Sequence, residues 1–265
     1  MSRATDFFNA CWQDYCNFTP QARLIHNKLA EAGENPVNDH IALRTFNFPG
    51  IELDDIVELF KPLGFQLIDD YQFPDRHLSA KALILNADTP KVFISELNIN
   101  HLSTANQLII LKQLNKAQPI ANSLEFLYSG RAWDLISYQD FKQLAKESEY
   151  AAWLMVMGFH ANHFTISLNH LTSYSTWPEF LSLIHSLNIP LNQDGGTIKG
   201  TPHVYLEQAS TLADETEVKF SDGIHKIKTC FYEFAKRFPD VKGDLYQGFV
   251  TNNANQIFSS TDQTE

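Results

Sequence analysis

The chain of 265 residues carries a net charge of −11 at pH 7, and 44% of it is hydrophobic, which suits one large globular domain or two small ones. This acidity argues against non-specific binding to nucleic acid or anionic membranes, and no apolar run approaches the roughly 20 residues that span a bilayer. Cys11, Cys16 and Cys230 are irregularly spaced, so neither a disulfide framework nor a Cys-based zinc site is expected; with no apolar leader, the expected compartment is a reducing cytoplasm.

Residues 1–36 are expected as a helical N-terminal segment. Phe7, Phe8, Cys11, Trp12 and Tyr15 fall at helical spacing. Pro20 opens a second helix after Thr19, and Gly33 stops it. The next stretch, Asn38-Asp39-His40-Ile41-Ala42-Leu43-Arg44-Thr45-Phe46, alternates as a strand does. Ile41, Leu43 and Thr45 form a core face. His40, Ala42 and Arg44 form the other, and a buried imidazole and guanidinium there need partners. A helix is predicted over residues 53–63, ended by Gly64, and strands over 65–71, 80–85 and 91–97, the last carrying Glu96. Residues 37–99 therefore read as a βαβββ module. Residues 100–157 read as a largely polar helical connector.

The pattern then recurs in residues 158–265, a second module with a C-terminal extension. Ala161-Asn162-His163-Phe164-Thr165-Ile166-Ser167 resembles the opening strand, and a helix follows over 177–187. Strands are predicted over 203–208, 217–220 and 229–235, the last carrying Glu233. Each module thus opens on a strand with His and closes on one with Glu, and the whole chain is expected to act as a single unit. Paired βαβββ units join their curved sheets into an open barrel, giving an α+β fold with added helices.

His40 and His163 occupy matching positions, which singles them out among ten histidines. Glu233, in the aromatic run Phe231-Tyr232-Glu233-Phe234, is an acid in a costly place unless it is paired or bound to metal. Two imidazoles and one carboxylate on one side of a metal leave positions open for substrate and O2. This is the donor set of non-haem Fe(II) oxygenases, and Zn, Mn or Ni can occupy similar ligands. Auxiliary candidates are Glu96, at the end of the first module, and His160, three residues before His163. Arg44 stands roughly 13 Å along the strand from His40 at about 3.3 Å per residue. That is too far for the metal but suits the distal carboxylate of a short diacid, in bidentate contact; a structural ion pair is the competing role. A glyoxalase-like metal-dependent lyase or isomerase, or a metallohydrolase on a small carboxylate, would use the same ligands. A non-enzymatic module binding a small acid is a third class.

These residues also carry a resemblance. The run over residues 38–46, Gly158-Phe159-His160-Ala161-Asn162-His163-Phe164-Thr165, Gln208-Ala209-Ser210, Val218-Lys219-Phe220-Ser221-Asp222-Gly223, Phe231-Tyr232-Glu233-Phe234-Ala235-Lys236-Arg237 and Asn253-Ala254-Asn255-Gln256-Ile257-Phe258-Ser259-Ser260-Thr261 are similar to the DUF1338 family. Its characterised members are 2-oxoadipate dioxygenase/decarboxylases. The resemblance covers nearly the whole chain and implies a vicinal-oxygen-chelate-like fold. It implies Fe(II) on His40, His163 and Glu233, Arg44 on a substrate carboxylate, and Gln208 and Ser210 as further auxiliary candidates. The implied reaction turns 2-oxoadipate and O2 into 2-hydroxyglutarate and CO2, a late step of lysine breakdown. Neither nucleic acid nor a membrane is expected as a partner, and the oligomeric state leaves no mark in the sequence.

Overall fold

A computed structural model describes residues 2–261; the last four residues of the second module lie outside it. The N-terminal segment folds as α1 (Arg3–Tyr15) and α2 (Pro20–Glu31), with the Ser2 hydroxyl capping α1 at Thr5 N and Pro20 opening α2. The first module is β1 (Asn38–Phe46), α3 (Leu53–Phe60), β2 (Gln66–Phe73), β3 (Leu78–Ile84) and β4 (Lys91–Leu97). The connector holds α4 (Thr104–Ala117), α5 (Tyr138–Glu147) and α6 (Glu149–Met157). The second module contains β5 (Ala161–Ser167), α7 (Trp177–Ser186), β6 (Lys199–Thr201), β7 (Leu206–Ser210), β8 (Glu215–Phe220), β9 (Gly223–Lys228) and β10 (Phe231–Arg237). A short helix, α8 (Thr251–Ile257), and a 3-10 turn at Phe258–Thr261 follow.

Eight strands form one curled sheet in the order β2-β3-β4-β1-β5-β10-β7-β6. Read outward from its centre, each module places its first strand, then its last, third and second. The centre is the antiparallel pair β1–β5, with His40 opposite Thr165 and Ala42 opposite His163. β4 runs parallel to β1, with Ala42 beside Phe93 and Thr45 beside Glu96. β10 runs parallel to β5, with His163 beside Phe231 and Thr165 beside Glu233. This is the paired βαβββ architecture that the repeat predicts.

Two expectations need correction. The strand expected over residues 217–220 is not part of the barrel. It belongs to β8, which pairs only with β9 through a tight turn at Ser221-Asp222, while short β6 takes its place in the sheet. β8 exposes charged Glu215, Glu217 and Lys219 in alternation, and its other face, with Val218 and buried Phe220, is turned to the connector, where Phe220 packs on Tyr138 and Phe141 of α5. The connector, in turn, is not polar to its end. Its last helix, α6, buries every residue from Tyr150 to Met157.

The outer face of the sheet lies under the helices. Phe164 of β5 packs edge-on to Trp12 and against Tyr15 of α1, and Phe234 of β10 packs against Phe180 of α7. Aromatic alternation on one face therefore fixes which residues face the other way, because a strand cannot slip one residue without exposing its whole core face. No helix among the described residues is long and apolar enough to cross a membrane. The three cysteines are buried and unpaired.

Candidate metal centre

The inner face of the central strands carries the polar groups. His40 and His163 come together from β1 and β5 with ring centroids 5.6 Å apart, and Glu233 of β10 closes the triangle. Glu233 Oε2 lies 3.2 Å from His163 Nε2, and Oε1 lies 3.6 Å from His40 Nε2. One ligand atom from each residue lies within 4.8 Å of the others, and among the described residues this is the only group of three His, Cys, Asp or Glu side chains so placed. All three are buried, at 2%, 5% and 1% exposure.

The geometry selects one nitrogen of each ring. His40 Nδ1 donates to Asp39 Oδ1 at 2.8 Å, and His163 Nδ1 donates to Asn162 Oδ1 at 3.1 Å. The Asp39 carboxylate can only accept, so its partner nitrogen holds the proton and Nε2 keeps a lone pair. Both Nε2 atoms face Glu233, and such outer partners are what orient metal-bound imidazoles. Thr165 Oγ1 lies 3.0 Å from His40 Nε2, and Gln208 Nε2 donates to Glu233 Oε1 at 2.6 Å.

The electrostatics fit a cation. Burial lowers both imidazoles below their ordinary pKa, His163 most strongly, so both are neutral donors. Burial pushes the Glu233 carboxyl up to about 8, opposed by the Gln208 hydrogen bond. Two lone pairs and an acid without adequate counter-charge form a set that a divalent metal completes. Burial alone would also raise Asp39, but the Arg237 guanidinium beside it holds it well below the carboxylate range. Arg237 Nε and Nη2 grip Asp39 at 2.6 and 2.8 Å.

The other predicted residues separate. Gln208 belongs to the site through Glu233. Ser210 is one layer out, 2.8 Å from the Ser260 hydroxyl. Glu96 falls beside Thr45 on the outer face, where its carboxylate accepts Leu53 N–H at 2.7 Å at the start of α3. His160 pairs with Asp14 at 2.6 Å and packs on Phe18. Neither is brought to the triad. Arg44 shares the face of His40 but is already partnered. It donates to Glu149 Oε1 at 2.9 Å and to Thr261 Oγ1 at 3.2 Å, and its guanidinium lies 4.7 and 4.9 Å from the ring centroids of Tyr150 and Trp153. Its Nε–H is buried without a partner.

Sequence reasoning missed Asp39, Asn162, Arg237 and Asn253. One signal was available: both histidines follow an Asp or Asn, so the repeat unit is the dipeptide rather than the His alone. Arg237, which grips Asp39, and Asn253, whose Nδ2 donates to Gln208 Oε1 at 3.0 Å, left no local sign of these roles, because both partners are distant in sequence.

Comparison with known proteins identifies a family. A family model described as 2-oxoadipate dioxygenase/decarboxylase matches residues 12–242. A chloroplastic protein of that name from Arabidopsis thaliana is 34% identical over 95% of this chain and 75% of its own length. The hydroxyglutarate synthase of Oryza sativa, solved in complex with 2-oxoadipate, superposes with a TM-score of 0.92 at 29% identity, covering 97% of this chain and 91% of that one. A Shewanella frigidimarina protein with a provisional hydrolase name gives a TM-score of 0.87 at 40% identity, covering 94% and 98%. A Ralstonia eutropha protein provisionally placed in the glyoxalase superfamily gives 0.74 at 18% identity, covering 93% and 85%, and so shares the fold. The half-barrel is thus vicinal-oxygen-chelate-like, as the resemblance implied. With a matching model over most of its length and relatives above 30% identity along nearly all of it, this chain belongs to the 2-oxoadipate dioxygenase/decarboxylase family of enzymes.

Proposed function

We propose that the protein is a non-haem Fe(II)-dependent dioxygenase/decarboxylase of a short 2-oxo dicarboxylic acid, with His40, His163 and Glu233 as ligands. The preferred reaction is 2-oxoadipate plus O2 to 2-hydroxyglutarate plus CO2, in which the C1 carboxylate leaves as CO2 and both O2 atoms enter 2-hydroxyglutarate, one in its new carboxylate and one in its hydroxyl. The observation that carries this reading is the buried triad itself, with both Nε2 atoms and one carboxylate converging. The bound metal supplies open coordination positions and the redox chemistry that O2 needs. Zn, Mn or Ni can fill the same ligands in purified protein.

The chain's own residues supply position and environment. Asp39 and Asn162 fix the two rings, and Gln208 holds one oxygen of Glu233. Phe249 stands edge-on to His40 at 4.8 Å and packs on Phe93 at 4.9 Å, which keeps that side of the triad apolar. Arg44 is the anchor for the distal carboxylate. Its unpartnered Nε–H and its buried guanidinium, set over the Tyr150 and Trp153 rings, support that role, which Glu149 opposes by neutralising part of the charge. Reduced cysteines are in keeping with a cytoplasmic location.

The test is an O2-consumption and CO2-release assay of the Fe(II)-loaded protein with 2-oxoadipate, and with the monocarboxylate 2-oxohexanoate for comparison. No O2 uptake would sink the dioxygenase reading in favour of a glyoxalase-like or hydrolytic one. His163→Ala should lose metal and turnover together.

A further inference from the structure

We propose that Arg237 and Asn253 are positioning residues that join the C-terminal segment to the metal ligands, so that metal binding and seating of residues 246–261 strengthen each other. The proposal rests on the metal reading above and concerns parts of the chain that do not reach the triad. Arg237 is shared between two structures. Nε and Nη2 hold Asp39, which fixes His40, while Nη1 donates to Tyr246 O at 2.9 Å and Gly248 O at 2.7 Å. The adjacent Phe249 then lies against the His40 ring. One guanidinium therefore sets both the ring orientation and the path of the chain that covers it.

Asn253 does the same for Glu233. Its Nδ2 donates to Gln208 Oε1 at 3.0 Å, which turns the Gln208 amide so that its NH2 meets Glu233. Without Asn253 the Gln208 amide is free to rotate and to aim its oxygen at the carboxylate, a repulsive contact. The segment has little order of its own to contribute. α8 spans only Thr251–Ile257, well below the about 12 residues at which an isolated helix becomes marginally stable. Its seating draws on these buried contacts, which run through Arg237 to Asp39 and through Asn253 to Gln208, the groups that hold His40 and Glu233. Coupling between the two events must then be reciprocal.

The experiment uses the full metal-free chain titrated with Zn2+ against a chromophoric chelator, with hydrogen exchange over residues 246–261 read with and without Zn2+. Wild type is expected to bind Zn2+ and to slow exchange across the segment on binding. Asn253→Ala should weaken Zn2+ by about tenfold and largely remove the effect of Zn2+ on exchange. Arg237→Gln alone leaves the buried Asp39 charge with only Lys91, 3.9 Å away, and is prone to unfold, so the Asp39→Asn/Arg237→Gln pair, which removes both charges and keeps an amide oxygen for His40 Nδ1, is the working variant. It should lose about 10- to 100-fold in Zn2+ affinity while its metal-free melting temperature stays near that of wild type. Affinities within about twofold of wild type in both variants, or wild-type exchange over the segment indifferent to Zn2+, overturn the proposal. Unchanged Zn2+ affinity in His163→Ala would instead overturn the metal reading.

Discussion

Arg44 and Glu149 lie 105 positions apart and meet as a buried ion pair. The side of β1 that Arg44 occupies was legible from alternation alone, but the acid facing it was not, because nothing local marks a partner so distant in sequence. If Arg44 anchors the distal carboxylate, Arg44→Gln should raise the KM for 2-oxoadipate by about 10- to 100-fold, the worth of a hydrogen bond to a charged group. The monocarboxylate 2-oxohexanoate should be affected far less. An equal loss on both substrates would assign Arg44 to structure alone. Asp214 is informative in a different way. Burial pushes its carboxyl up to about 6, partly offset by the Gln21 N–H that it accepts. Its folded pKa is raised, so its share of stability is complete below the unfolded pKa and is lost as pH rises through the folded value. Asp214→Asn, which keeps an acceptor, should therefore melt higher at pH 7–8, by about 1–2 kcal/mol after allowing for partial exposure, and match wild type near pH 4.

Among the elements, the strands with a strict two-residue period were the most legible. The apolar set Ile41, Leu43 and Phe164 leaves only one register, and that register delivers His40 and His163 to the same place. β8 was misassigned because its period is genuine but its apolar face, with Val218 and Phe220, packs on α5 rather than in the barrel, and period alone does not say which sheet a strand joins. The connector was harder still. In α6 nearly every position is apolar, and such a helix has no stripe to reveal what it packs against. It lies beneath β1, where the Tyr150 hydroxyl accepts Thr45 N–H at 3.0 Å and donates to Ser95 O at 2.6 Å, joining β1, β4 and α6 next to Arg44. Tyr150→Phe leaves a buried N–H and a carbonyl unmet and should cost about 1–3 kcal/mol in denaturant unfolding. Metal affinity should hold, since no ligand or ligand partner is touched.

For the whole molecule, the pairing of two βαβββ modules was legible as a repeat of order, and so was the meeting of His40 and His163 from equivalent strands. What did not survive was the assumption that the repeat extends to the acids. Position for position, the parallel registers of β4 on β1 and of β10 on β5 make Lys91 the counterpart of Phe231 and Phe93 the counterpart of Glu233. Glu96 therefore corresponds to Lys236, outside the site. A perfectly two-fold barrel would surround its cation with two histidines and two carboxylates. Here one carboxylate position is filled by a benzyl group, so the site is a symmetric cage with one wall removed. Phe93→Glu restores that wall. The variant should hold Zn2+ about tenfold more tightly, or better, as a fourth ligand joins, and should lose O2 consumption because the vacated position is taken. Asymmetry at a single residue would then separate a barrel that stores a metal from one that lets oxygen reach it.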